Sequence, residues 1–239
     1  MATDSFHLDP TGFPMMWVPE VAQFVHCLPV TKLQFERFLG DARDGHFSAA
    51  WYDEVLRLNP RVPARRIWRD NYWGALLTGV LPAEAERFAA WCGDGYRMPL
   101  ATEWQRIYRA LSARGASRLG DLGALAQLGG RQRELVENLE RSVEEVCHAS
   151  GAACGLPERL LLRLGVVEWV ALTERGDKRW AGLGEPHPAF CGNLFAPDDG
   201  QLVAPADPER ERLASFGFRL VFSPGTTDGS TGQTGPAVH

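Results

Sequence analysis

The order of hydrophobic periodicities along this chain constrains its fold more than any single motif. Helix-period segments come early, strand-like segments sit near both ends, and no strand–helix–strand series repeats between them. That segregation predicts an α+β domain rather than a regular parallel α/β one. Met15-Met16-Trp17-Val18 and the stretch from Val21 to Cys27 read as two short strands. Thr31 followed by Gln34 is a capping box, in which hydroxyl and amide satisfy the exposed amides of a helix start. Phe35, Phe38 and Leu39 then share one face, and Gly40 is placed to end that helix. A second helix follows Pro82, with Ala85, Phe88, Ala89 and Cys92 on one face and Gly93 as its stop. A third carries Trp104, Ile107, Tyr108 and Leu111. A fourth is expected from Arg131 to Cys147, apolar along Leu135, Leu139, Val143 and Val146 and charged on its other side. Val166 to Leu172 and Phe216 to Phe222 read as strands, and Trp180 to Asp207 as mostly loop.

Composition narrows the function classes. The 239 residues are 45% hydrophobic and 23% charged, and a chain of this size buries about 70% of its extended surface. One sizeable core therefore forms without disulfides or a structural metal. With 25 basic and 30 acidic residues the net charge is −5, which disfavours nucleic acid as a partner. Arg61, Arg65, Arg66 and Arg69 interleave with Trp68, Tyr72 and Trp73, a pattern that can stack on nucleobases. Given the charge, Asp41 to Leu77 reads instead as a long irregular loop pinned by Trp51, Tyr52 and those rings. No apolar run has the length of a membrane span, and the start lacks the pattern of a signal peptide, so a cytoplasmic location is expected. The five cysteines are odd in number and form no C-x-x-C pair, which argues against a disulfide framework or a thiolate zinc site. Residues 1–223 are expected to form a single domain with a helical insertion near 115–160. Residues 224–239 read as a flexible tail.

Five short pieces, in order, resemble a known family. Pro29-Val30-Thr31 with Phe35 and Phe38 is similar to P-V-T-x-x-x-[FY]-x-x-F. Val80 to Ala85, with Phe88 and Trp91, is similar to V-x-x-x-x-A-x-x-[FY]-x-x-W. Arg97-Met98-Pro99-Leu100-Ala101-Thr102-Glu103-Trp104 resembles R-L-P-T-E-A-E-W, Gly165 to Trp169 resembles a worn G-N-V-W-E-W, and Gly217-Phe218-Arg219-Leu220 matches a closing G-F-R-[LV]. Together they resemble the formylglycine-generating enzyme (sulfatase-modifying factor) family over roughly residues 10–223. The resemblance implies a variant of the C-type lectin fold, with two packed helices, short twisted sheets and much irregular structure. Thr31, Trp91, Arg97, Pro99, Glu103, Trp104, Glu168, Trp169, Gly217, Phe218 and Arg219 are its framework residues. Physically, Arg97 and Glu103 are expected to pair as an anchor between helix and sheet, since an unpaired buried charge is costly. Arg219 is expected to reach a carboxylate, for which Glu168 is a candidate, or a backbone carbonyl.

The family's chemistry is not carried over with its framework. Its enzymes hold copper(I) on a close pair of cysteines late in the chain, because soft thiolates suit that ion. After Trp169 only Cys191 is present. The six histidines are scattered, so an iron or zinc set is not expected. The calcium motif lacks its asparagine, Gly165 standing in that place. No metal, cofactor or catalytic residue is therefore assigned. The stretch after Trp180 keeps the residue types that anchor ligands, and Trp180, His187, Phe190, Asn193, Phe195 and Arg212 are taken as candidate ligand-binding residues.

These observations predict a non-catalytic binding module for a protein or peptide, contacted through the loops after Trp180. The resemblance extends to variable proteins of diversity-generating systems and to recognition domains in bacterial defence or signalling. One alternative is a copper- or iron-dependent oxidase that uses Cys191. Another is a structural subunit that docks through the charged helix at 131–147.

Overall fold

A computed structural model describes residues 6–41, 48–58, 76–113, 128–130, 164–165, 167–172, 180–183, 185–187, 192–194, 202–203 and 216–224, with single positions between 133 and 141 and between 207 and 213. The class is α+β. Strands β1 (Phe6–Leu8), β2 (Pro14–Val18) and β3 (Gln23–His26) open the chain, followed by helices α1 (Lys32–Asp41), α2 (Ala49–Leu58) and α3 (Pro82–Cys92). Strand β4 (Tyr96–Arg97) precedes helix α4 (Ala101–Ala113). The late strands are β5 (Leu164–Gly165), β6 (Val167–Ala171), β7 (Trp180–Leu183), β8 (Glu185–His187), β9 (Gly192–Leu194), β10 (Leu202–Val203), β11 (Phe216–Gly217) and β12 (Val221–Phe222). They form a five-stranded sheet β1-β2-β3-β12-β4, a four-stranded sheet β10-β7-β6-β11 and a three-stranded sheet β5-β9-β8.

The last motif of the chain ties two sheets together. Phe216 and Gly217 run parallel to Val167 and Glu168, while Val221 sits between Val25 and Arg97. A single strand over Phe216 to Phe222 was expected from the alternation; the structure has two short strands in two different sheets. Phe216 through Val221 are all buried, so the alternation does not mark one wet and one dry face. Instead, the carbonyls of Phe216, Phe218 and Leu220 accept in turn from the amides of Gly79, Val30 and His26. Every second backbone group is satisfied by a different element, as burial demands. Where β12 meets the approach to β4, Gly95 is required: its φ is +88°, and a Cβ there would stand 2.5 Å from the carbonyl oxygen of Ser223.

Aromatic rings from α1, α2, α3 and the closing segment fill the main core. Phe35 stacks on Trp51 and Phe88, and Phe38 and Phe218 each meet Phe88 edge-on. A buried polar knot gathers around Asp9. Asp9 accepts from Thr11, from the Phe13 amide, from Gln34 and from His26 Nε2. The other ring nitrogen of His26 accepts from the Leu220 amide at 3.3 Å, so the knot joins the first turn, the α1 start and the final segment.

Several expectations are corrected here. Asp41 to Leu77 is not wholly irregular, because Ala49–Leu58 is a helix whose start is capped by Ser48 Oγ accepting from the Trp51 amide. Gly40 does not stop α1, which runs on to Asp41; nothing within 4 Å crowds that position. The second strand begins at Gln23 rather than Val21, because residues 19–22 form the turn that joins β2 to β3. Trp180 to Asp207 holds four short strands, each paired across its sheet. In the 131–147 region the described positions Arg133, Glu134, Glu137 and Arg141 are helical and exposed. The rest of that helix, most of the 115–160 insertion and the tail beyond 224 lie outside the described residues. Among those described, no helix is long and apolar enough to cross a membrane.

Candidate functional site

Three helices open with the same chemistry. A side chain at the third helical position reaches back to the backbone N–H just before the helix, which would otherwise lack a partner. In α1, Gln34 Oε1 accepts from the Thr31 amide at 2.8 Å. In α3, Glu84 Oε2 accepts from the Leu81 amide at 2.8 Å, and in α4, Glu103 Oε2 accepts from the Leu100 amide at 2.8 Å. Leucine before the helix offers no side-chain acceptor, so in α3 and α4 the glutamate supplies the only half of the box that can form.

Each glutamate also receives an arginine. Arg212 donates through both terminal nitrogens to Glu84 at 2.5 and 2.8 Å, and to the Gly79 carbonyl. Trp51 Nε1 completes that carboxylate. Arg97 donates to Glu103 at 2.6 and 2.7 Å, and Gln23 Nε2 donates to the same carboxylate at 3.0 Å. A third pair is fully enclosed: Arg219 holds Glu168 through two bonds of 2.6 Å, and Trp104 Nε1 donates to Glu168 Oε2. Arg219 also reaches the His26 carbonyl, so both expected partner types are present. The side chains are 1% and 1% exposed for Arg219 and Glu168, and 11% and 12% for Arg212 and Glu84. For Arg97 and Glu103 they are 41% and 14%. Only the last pair is open.

What it opens onto is a cleft of about 670 Å³. Its walls come from the end of α3, the turn 93–95, β4, the start of α4 and the β6–β7 pair. Gln23, Glu86, Asp94, Tyr96, Arg97, Glu103 and Trp180 supply its polar and aromatic side chains. Trp180 begins β7 opposite Ala171 and is partly buried against the core. Ala171 in turn donates its amide to the Pro99 carbonyl, fastening β6 to the stretch before α4. Gln23 is 7% exposed. Because a carboxylate only accepts, the Gln23 amide nitrogen must face Glu103, and this directs Oε1 away. That oxygen is the buried side-chain polar atom left without a hydrogen-bond partner among the described residues.

Burial pushes the Glu103 carboxyl upward, but the bonds from Arg97, the Leu100 amide and Gln23 outweigh it and hold the group below the usual carboxylate range. Asp9 is likewise held low against burial, chiefly by His26. Burial pushes the Cys92 thiol and the Tyr96 phenol well up, and it lowers His7. A buried thiol kept protonated is a poor nucleophile. Among the described residues, no three histidine, cysteine, aspartate or glutamate side chains gather as metal ligands.

The structure brings some of the candidate residues together and separates others. Trp180 joins the Arg97–Glu103 pair in the cleft. Arg212 does not line it; its guanidinium is held by Glu84, Gly79 and Glu54. His187 sits on β8 opposite Gly192, and Asn193 on β9 opposite Gly165 and Pro186. Phe190, Phe195 and Cys191 lie outside the described residues. Of the framework residues, Thr31, Trp104, Glu168, Trp169, Phe218 and Arg219 are buried, and Gly217 pairs opposite Glu168. Trp91 is partly buried against the core and donates to Asp41 at 2.8 Å. Sequence reasoning missed Gln23, Glu86 and Asp94. Only Gly93-Asp94-Gly95 left a signal, and it reads first as a turn. No family model, curated protein or solved structure matches the chain.

Proposed function

We propose that the chain is a non-catalytic binding module, a C-type lectin-like relative of the formylglycine-generating enzyme family, that takes a protein or peptide in the cleft at Trp180. One observation carries the reading: the residue chosen from sequence as an anchor, Trp180, shares an open pocket with the partly exposed Arg97–Glu103 pair. A cleft of about 670 Å³ lies in the range that encloses a small ligand or a few residues of a peptide. The motif residues also support the family reading, because Glu168, Trp104 and Arg219 converge from three distant segments onto one buried bond network. The non-catalytic part rests on the sequence, which has one cysteine after Trp169, and on the described lining, which holds no cysteine, histidine or serine.

Selection from a displayed peptide library on the full chain tests this. Ala90 is exposed and lines the cleft, so Ala90→Trp fills the space without disturbing the core. Selected peptides are expected to lose at least about tenfold in affinity for Ala90→Trp, the loss that filling a binding pocket brings. Peptides that bind both proteins equally, or that return chemically altered, contradict the reading.

A further inference from the structure

The cleft follows the edge of a sheet. Strand β4 is last in the order β1-β2-β3-β12-β4, and among the described residues its strand partner is β12. Successive residues of a strand point to opposite faces, yet both Tyr96 and Arg97 line the cleft. The cleft therefore wraps the free edge of β4 rather than covering one face. Gly93 leaves room beside that edge, with nothing within 4 Å of where a Cβ would stand.

The ladder fixes which backbone groups the edge offers. The Gly95 carbonyl accepts from the Ser223 amide, so Gly95 faces β12. The next residue of an antiparallel strand turns its groups the other way, and the Tyr96 amide donates to the Gly93 carbonyl at 3.3 Å instead of to β12. Arg97 faces β12 again, opposite Val221, and Met98 turns away. Pro99 after it holds Met98 extended. Of the outward groups, the Tyr96 amide is taken by Gly93, and the Met98 carbonyl accepts from Arg97 Nη1 at 3.2 Å. The Tyr96 carbonyl and the Met98 amide have no hydrogen-bond partner among the described residues. Met98 is 4% exposed, and a buried amide is seldom left unpaired. Both residues line the cleft.

These two groups bracket Arg97 in the pattern that a parallel neighbour uses. In a parallel ladder one residue of the added strand donates to the carbonyl before its opposite number and accepts from the amide after it. An antiparallel neighbour would need both groups of Tyr96 or both of Met98, and each residue has one already engaged. We propose that a peptide from a partner protein adds to β4 as a parallel strand. Its residue opposite Arg97 gives its N–H to the Tyr96 carbonyl and its C=O to the Met98 amide. Backbone bonds then supply affinity, and the side chains to either face of the edge set the choice of peptide. This inference rests on the reading of the chain as a peptide-binding module and adds how the peptide is held.

The test takes a labelled peptide selected from the displayed library and replaces its amide links by esters, one at a time. Affinity for the full chain is read by fluorescence polarisation. An ester keeps the shape of the link and removes its N–H. One link is expected to weaken binding about fivefold, the effect of losing one hydrogen bond. The link after it, whose carbonyl becomes a poorer acceptor, should weaken binding less, and esters elsewhere should have little effect. In the isotope-labelled full chain, exchange of the Met98 amide is expected to slow at least about tenfold when the peptide binds. A peptide that tolerates an ester at every link, or a Met98 amide that exchanges as fast with the peptide as without it, overturns the inference. If either result comes from a peptide that Ala90→Trp blocks, the strand-addition inference falls and the binding-module reading stands. If the library yields no peptide, both fall.

Discussion

Helices α3 and α4 begin alike and serve different ends. Each places a glutamate at its third position, bonds it back to the amide before the helix and clamps an arginine from outside the helix, distant in sequence at α3 and six residues back at α4. At α3 the indole of Trp51 closes over the pair and leaves both side chains near one-tenth exposed. At α4 the third donor is an amide, Gln23, and Arg97 stays 41% exposed on the wall of a cleft. The same local solution to an unpaired helix start thus makes a sealed joint in one place and the wall of an open cleft in the other. The polar chemistry of a motif therefore does not tell whether it ends up sealed or open. What covers it does.

Replacing each arginine by alanine sharpens this comparison, because the cost should follow enclosure. Arg219→Ala leaves Glu168 as a buried, partly unpaired charge, and should cost about 3–5 kcal/mol in urea unfolding. Arg212→Ala strips Glu84 of two charged bonds and should cost about 2 kcal/mol. Arg97→Ala should cost less than about 1 kcal/mol, since water already screens the pair. If Arg97→Ala proves as damaging as Arg212→Ala, the two helix starts are equally architectural and the contrast between them fails.

Acid sharpens it at smaller amplitude. Asp9 and Glu103 are both held below their unfolded values, so each contributes stability that is complete above the ordinary carboxylate range and is lost as pH falls through the lowered folded value. Unfolding free energy is expected to be flat near neutrality and to fall below about pH 4. Asp9→Asn should flatten that decline more than Glu103→Gln, because Asp9 lies in the buried knot while Glu103 borders the open cleft. A decline that is unchanged in Asp9→Asn would show that other groups govern acid unfolding.

The two regions also differ in how much of them can be read from the chain. Two helix starts were legible because capping is local: Thr31 with Gln34, and Pro82, announce themselves within one turn, whereas Glu103 was read only as the partner of Arg97. The Arg97–Glu103 pairing was legible for the same reason, its partners lying in one motif. Helix α2 was missed because the weight of aromatics around Trp51 reads as a pinned loop, and the cue at Ser48 is a single hydroxyl. The closing segment shows strand alternation, yet its partners are Gly79, Val30 and His26, far away in sequence, so neither its break nor its sheets could be inferred. The commitment of Arg212 to Glu84 was hidden by the same distance. The cleft had no sequence signature, since Gln23, the run from Asp94 to Arg97, and Trp180 come from three separate stretches that only the folded sheets bring together.

Mapping amide shifts in the isotope-labelled full chain on titration with a peptide selected from the displayed library tests the central contrast most directly. The account predicts the largest changes from Gly93 to Met98 and at the indole N–H of Trp180, with Gly79 to Glu84 unmoved. Changes centred on Gly79 to Glu84, or none at either place, would contradict it.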